Sequence, residues 1–455
     1  MQSQTCWWHA RSRAVVNASV GRVRERHVRG GTIQVEHRDG LVRARGVRYG
    51  TAKRFAAPEP PAGWSGVRDA TQPGPACPQR PSRLSWVAGD VLEGLTTNEH
   101  CLVLSVTAPA DAHRLPVMVW FHGGAYVAGS GESAKYDPGL LARAGHVVVV
   151  NVSYRLGIFG YLVPPGAGED NLGLRDQILA LHWVRDNIAA FGGDPANVTL
   201  FGQSAGAHSV MSLMLCEDAA GLFHRAILQS APLELDDGRD DMAQQMGSAM
   251  ATSLAGADPA EVSVERLLVA EAAAVAAAQG FGLLGGLAFA PRLGRAPLPA
   301  PADVPAAIAD AAGRIELFIG YTKDDAAPFV AMDPRVARLN RTPALGRIAV
   351  RAGSRAMTKR AFGAPAERLA AAWRKHGGRV GEYRFDWTPA GSPLGACHCL
   401  ELPFLFGSPQ AWSDAPMLGP TRRIDTQLAN EMRSRWAQFA HRGVESLPEP
   451  VLRFG

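Results

Sequence analysis

An α/β protein with a mostly parallel central sheet flanked by helices is what this chain predicts, on three observations. Short apolar runs alternate with segments of helical periodicity, the runs are apolar on both faces, and turn residues bound them. PVMVWF (116–121) and HVVVVNVSY (146–154) have the β-branched, two-faced character of strands buried inside a parallel sheet. LRDQILALHWVRDNIAAF (174–191) then sets Leu174, Ile178, Leu181, Val184 and Ile188 along one helical stripe. NVTLF (197–201), RAILQS (225–230), IELFIGY (315–321) and VGEYRFDW (380–387) read as further strands, and the alanine-rich VAEAAAVAAAQG (269–280) as a helix. Sheets of this kind hold their ligands at the carboxyl ends of the strands.

Composition narrows the functional classes. The chain has 455 residues, 47% hydrophobic and 20% charged, which is ordinary globular usage with ample length for a large core. Its formal charge of +5 comes from scattered arginines with no basic block interleaved with aromatics, so nucleic acid is not an expected partner. No apolar run reaches the roughly 18 residues of a membrane span. Residues 1–30 are polar and arginine-rich, lack the apolar core of a secretory signal, and read as a flexible basic extension ahead of one domain over 31–455. Six cysteines (Cys6, Cys77, Cys101, Cys216, Cys397 and Cys399) are too few for a disulfide scaffold at this length, and a cytoplasmic protein is expected.

Chemistry enters at LFGQSAGAHS (200–209), where Ser204 lies between strand NVTLF and an amphipathic segment. G-x-S-x-G at a strand-to-helix turn is a nucleophile elbow: the serine needs a strained turn, and Gly202 and Gly206 keep Cβ atoms away from the crossing backbone. With 49 glycines the pentapeptide arises by chance about one time in four, so its place between strand and helix carries the argument. WFHGGAY (120–126), just after strand PVMVWF, supplies the amides of Gly123 and Gly124 for an oxyanion hole, completed by Ala205; His122 reads as a structural hydrogen-bonder. His208 is close to Ser204 in sequence, yet four residues into the outgoing helix is about 6 Å of rise away from the elbow. The base must come from a separate loop, after an acid, and His398 in GACHCLELPFLFG follows a late strand. Asp324 and Asp325, after strand IELFIGY, are the candidate acids.

These segments together resemble the type-B carboxylesterase family, the cholinesterase and carboxylesterase branch of the α/β-hydrolases. The likeness runs from about residue 31 to the end, through RFAAPEPPAGWSGVRDATQPGPACPQ, LPVMVWFHGGAYVAGS, VVVNVSYRLGIFGYL, NLGLRDQILALHWVRDNIAAFGGDPANVTLFGQSAGAHSV, FHRAILQSA and GACHCLELPFLFG. The resemblance implies an α/β-hydrolase fold, with Ser204 as nucleophile, His398 as base and Gly123, Gly124 and Ala205 as oxyanion hole. It implies Asp325 as the acid, in the place of a usual glutamate, with Asp324 as the alternative. It implies that residues 232–312 form a reduced helical lid and acyl-pocket wall, to which Phe281 and Phe289 contribute. Cys77 and Cys101 stand where secreted relatives form a disulfide. The activity expected is serine-dependent hydrolysis of uncharged short- to medium-chain esters through an acyl-enzyme, without cofactor or metal, by a monomer or homodimer. A related hydrolase of carbamates, amides or a natural-product ester is the alternative, and a non-catalytic binding protein the third reading.

Overall fold

The computed structural model describes residues 21–235, 238–333, 336 and 345–455. Twelve strands form one sheet among them: β1 (Arg22–Val28), β2 (Gly31–Arg38), β3 (Leu41–Arg48), β4 (Val67–Asp69), β5 (Val103–Pro109), β6 (Leu115–Phe121), β7 (Val148–Val152), β8 (Gly193–Gln203), β9 (Arg225–Gln229), β10 (Glu316–Thr322), β11 (Val380–Phe385) and β12 (Val451–Phe454). The spatial order is β1-β2-β3-β5-β7-β6-β8-β9-β10-β11-β12, with β4 beside β2. From β7 to β12 every pairing is parallel, whereas β1, β2, β3 and β5 pair antiparallel. The expected strands all lie in the parallel part.

Period-two alternation explains why those strands are apolar throughout. Along β6, Val117, Val119 and Phe121 enter the core on one face, and Met118 and Trp120 the core on the other. Helices Leu172–Asn187, Ala205–Met214 and Val264–Ala278 cover the first face; helices Gly139–Gly145 and Thr426–Arg442 cover the second. A buried ion pair ties the loop after β7 to helix Leu172–Asn187. Arg155 grips Asp176 through Nε and Nη2, at 2.8 and 2.7 Å, while its Nη1 donates to Ala56 O.

One boundary moves. Arg22–Val28, expected within the flexible extension, is strand β1, paired antiparallel with β2 from Arg22 opposite His37 to Val28 opposite Gly31. It escapes a pattern search because RVRERHV is a mostly exposed edge strand with no apolar face. Residues 1–20 lie outside the described residues. Cys77 and Cys101 are buried free thiols in mutual contact, and burial, then that contact, pushes the Cys77 thiol well above its ordinary value. No helix among the described residues is long and apolar enough to cross a membrane.

Candidate active site

The elbow is built where β8 runs out. Ser204 has φ 56° and ψ −123°, a conformation disfavoured for a residue with a side chain, and helix Ala205–Met214 starts immediately after it. Two backbone bonds hold it there: Ser204 N–H donates to Gln229 O of β9 at 2.8 Å, and Ser204 O accepts from His208 N–H. The flanking glycines serve close approach. A Cβ at Gly202 would lie 2.4 Å from the carbonyl carbon of Gly206, and one at Gly206 would lie 2.0 Å from Phe121 O.

The loop after β6 lies against this turn. A Cβ on Gly123 would meet Gln203 O at 2.7 Å, so the loop touches the elbow by backbone. Gly124 has φ 114°, and left-handed geometry continues through Ala125 (φ 55°) and Tyr126 (φ 62°). Among the described residues no hydrogen bond engages the amides of Gly123, Gly124 or Ala205. His122 is fully buried, stacked on Tyr154 at 4.5 Å, with Nδ1 2.8 Å from Gly123 O; burial lowers its pKa to about 4. His208 points into the body of the protein. Its Nδ1 bonds the Tyr126 hydroxyl at 2.8 Å, and burial, aided by Arg239, lowers its pKa to about 3, so this neutral ring anchors the loop through Tyr126.

His398 and Asp325 meet at the carboxyl end of the sheet. His398 Nδ1 is 2.5 Å from Asp325 Oδ1, both side chains are buried, and Asp325 Oδ2 accepts from Thr322 N–H at 3.0 Å. Asp324 faces elsewhere: its Oδ2 accepts from Ala396 N–H at 3.1 Å, and its own N–H donates to Ala396 O at 2.9 Å. This clamp holds the histidine loop against the acid loop. On its other side, His398 Nε2 lies 3.1 Å from Gln203 Nε2, and among the described residues no hydrogen bond joins it to Ser204 Oγ.

Glu401, three residues beyond His398 in the turn that leads into helix Leu402–Leu405, is a site residue the sequence pattern does not mark. It is fully buried, and burial, reinforced by Asp325, raises its pKa to about 8. Its Oε1 accepts from Gln229 Nε2 at 3.3 Å, and Gln229 Oε1 accepts from Trp436 Nε1 at 3.1 Å. The signal available was its spacing of three from His398.

Ser204, His398, Gly123 and Gly124 all line one cavity of about 760 Å³. Leu84, Leu283, Leu287, Phe329, Met357 and Phe362 supply apolar wall, and the rings of Phe329 and Phe362 lie 5.1 and 5.4 Å from the His398 ring. The 279–287 segment lines the cavity, but Phe281 and Phe289 do not: Phe289 is fully buried in the core and Phe281 packs on that core's edge. A run of apolar residues does not reveal which of them turns toward the cavity.

Comparison with known proteins agrees with this geometry. The carboxylesterase family model matches residues 12–345 and 346–451. A probable N-octanoylanthranilate hydrolase of Rhodococcus erythropolis is 40% identical over 410 residues, covering 89% of each chain. The para-nitrobenzyl esterase of Bacillus subtilis (strain 168) is 36% identical over 448 residues, covering 91% of this chain and 88% of that one. Among solved structures, a thermophilic PNB esterase superposes with TM-score 0.77 at 34% identity, covering 92% of this chain and 91% of the other. The Geobacillus stearothermophilus carboxylesterase gives 0.75 at 33% identity, covering 93% and 92%. A serine elbow, a buried His-Asp pair and a glycine loop around one cavity, on this sheet and with these relatives, lead to one conclusion: the chain belongs to the carboxylesterase family, has the α/β-hydrolase fold, and is a carboxylic ester hydrolase.

Proposed function

We propose that Ser204, His398 and Asp325 act as a catalytic triad, with the amides of Gly123, Gly124 and Ala205 as the oxyanion hole. The observation that carries this reading is the bond from His398 to Asp325 within the cavity that Ser204 also lines. Asp325 holds the imidazole with Nδ1 protonated, which leaves Nε2 to accept the serine proton. Ser204 Oγ attacks the ester carbonyl, and the tetrahedral oxyanion is held by the three amides. The leaving oxygen takes the proton from His398, and water then releases the acid from the acyl-enzyme. In the resting enzyme Gln203 occupies His398 Nε2; the bond to Ser204 forms when substrate fills the cavity, as catalytic hydrogen bonds in free enzymes commonly tighten only in the complex.

The apolar wall supports short- to medium-chain, uncharged acyl groups, with residues 232–312 serving as lid and acyl-pocket wall. A related hydrolase of amides is the second reading, supported by the relative named for hydrolysis of an N-octanoyl compound. With too few cysteines for a disulfide scaffold at this length, the setting proposed is cytoplasmic. The test is hydrolysis of p-nitrophenyl acetate and butyrate. Ser204→Ala is expected to lower kcat by about 10³-fold or more, and an alanine variant with wild-type turnover would overturn the assignment.

A further inference from the structure

Among the described residues, Arg83 is a cation that faces the apolar cavity without a counter-ion. Arg83 lines the cavity together with Leu84, Leu283 and Met332. Its Nη2 donates to Gly286 O, and its Cζ lies 5.9 Å from the centre of the Phe329 ring. Among the described residues no carboxylate pairs with it. Asp333, the carboxylate that also lines the cavity, already has an interaction of its own. Crowding by protein lowers the pKa of the Arg83 guanidinium from its ordinary value, although the residue as a whole is exposed at the mouth. A guanidinium carries five donors in a planar fork suited to a carboxylate.

Position decides which part of a substrate it would meet. The Phe329 ring beneath Arg83 packs at 5.1 Å on the His398 ring. In acyl transfer the histidine returns its proton to the leaving oxygen, so the leaving group lies on the histidine side of the cavity. We propose that Arg83 forms a carboxylate subsite on that side, so that beyond uncharged esters the enzyme also takes aryl esters and anilides whose alcohol or amine part bears a carboxylate. The subsite rests on the triad reading above. The reaction is unchanged: the acyl carbon leaves the phenol oxygen or aniline nitrogen for Ser204 Oγ, the leaving atom takes the proton from His398, and one water releases the acid.

The experiment compares butanoate esters of 2-, 3- and 4-hydroxybenzoate with the matching hydroxybenzamide esters, which are neutral and nearly isosteric. The ratio of kcat/KM, carboxylate over carboxamide, is measured for wild type, Arg83→Gln and Arg83→Lys, so that any general loss in a variant cancels. For at least one ring position the ratio is expected to fall about three- to tenfold in Arg83→Gln and less in Arg83→Lys. The wild-type ratio should also fall between low and 0.5 M salt, at about 0.5 M being strongly screened. A ratio equal in wild type and Arg83→Gln at all three positions overturns the subsite. Binding is read separately by titrating the carboxylate esters onto Ser204→Ala with and without Arg83→Gln. Tighter binding with arginine present supports the subsite even if wild type cleaves no ester, which would sink the triad reading alone; equal binding overturns the subsite.

Discussion

Adjacent aspartates with different partners separate orientation from scaffolding at the level of single residues. Asp325 touches the His398 ring, whereas Asp324 holds the Ala396 backbone nearby and pairs with Arg355 at 3.6 Å, away from the ring. Asp325→Asn should leave the fold in place and lower kcat by about 10⁴-fold, because the amide favours the wrong imidazole tautomer. Asp324→Asn keeps an oxygen for Ala396 N–H, so its kcat should change less than about tenfold, with stability lowered by roughly 1 kcal/mol. Parallel kinetics and thermal melts of the two variants check this, and equal kcat losses would contradict it. His208 shows why nearness in sequence misleads: its helix carries the ring away from the elbow and onto Tyr126.

The strand-elbow-helix unit is where element geometry sets chemistry. The crossing of β6 and β8 brings Phe121 O so close to Gly206 that even a methyl group collides. Gly206→Ala is therefore expected to cost more than about 3 kcal/mol through a clash with rigid backbone. The variant should melt lower or accumulate as insoluble protein, with activity falling alongside. Alanine at Gly221, a left-handed but uncrowded turn glycine, is the comparison and should cost only about 1–2 kcal/mol. Strand and helix periodicity placed the glycine loop, the elbow and the histidine loop in order along the chain. The left-handed backbone at Ala125 and Tyr126 left no such trace, since neither residue type favours that conformation, and packing of Tyr126 against Tyr161 and His208 holds it there.

For the whole molecule, burial of Glu401 beneath the site makes stability depend on pH. Its pKa is raised to about 8, first by burial and then by Asp325, so the folded protein keeps a proton there that the unfolded chain has lost. The folded state then binds more protons between the unfolded glutamate value, about 4.3, and that raised value. Glu401's contribution is therefore fully present in acid, declines as pH rises through this window, and levels off above it. Glu401→Gln removes the titration, so its stability relative to wild type should rise between pH 5 and pH 9 by on the order of a few kcal/mol at most, read as a melting-temperature difference that widens with pH. A difference that is flat with pH would show that Glu401 is ionised in the folded protein as it is in the unfolded chain, with no raised pKa.

By itself the sequence determined the parallel α/β sheet, the elbow, the glycine loop and the order of serine, acid and histidine. Periodicity and turn chemistry are local, and a strand buried on both faces announces itself in its own residues. Edge strand β1, the choice between two neighbouring aspartates, the Gln203 contact on His398, the buried Glu401 and the cavity-facing Arg83 were decided by tertiary structure alone. Each depends on which side chain turns toward a partner distant along the chain, and that direction is set by the packing of loops, not by the pattern within any one of them.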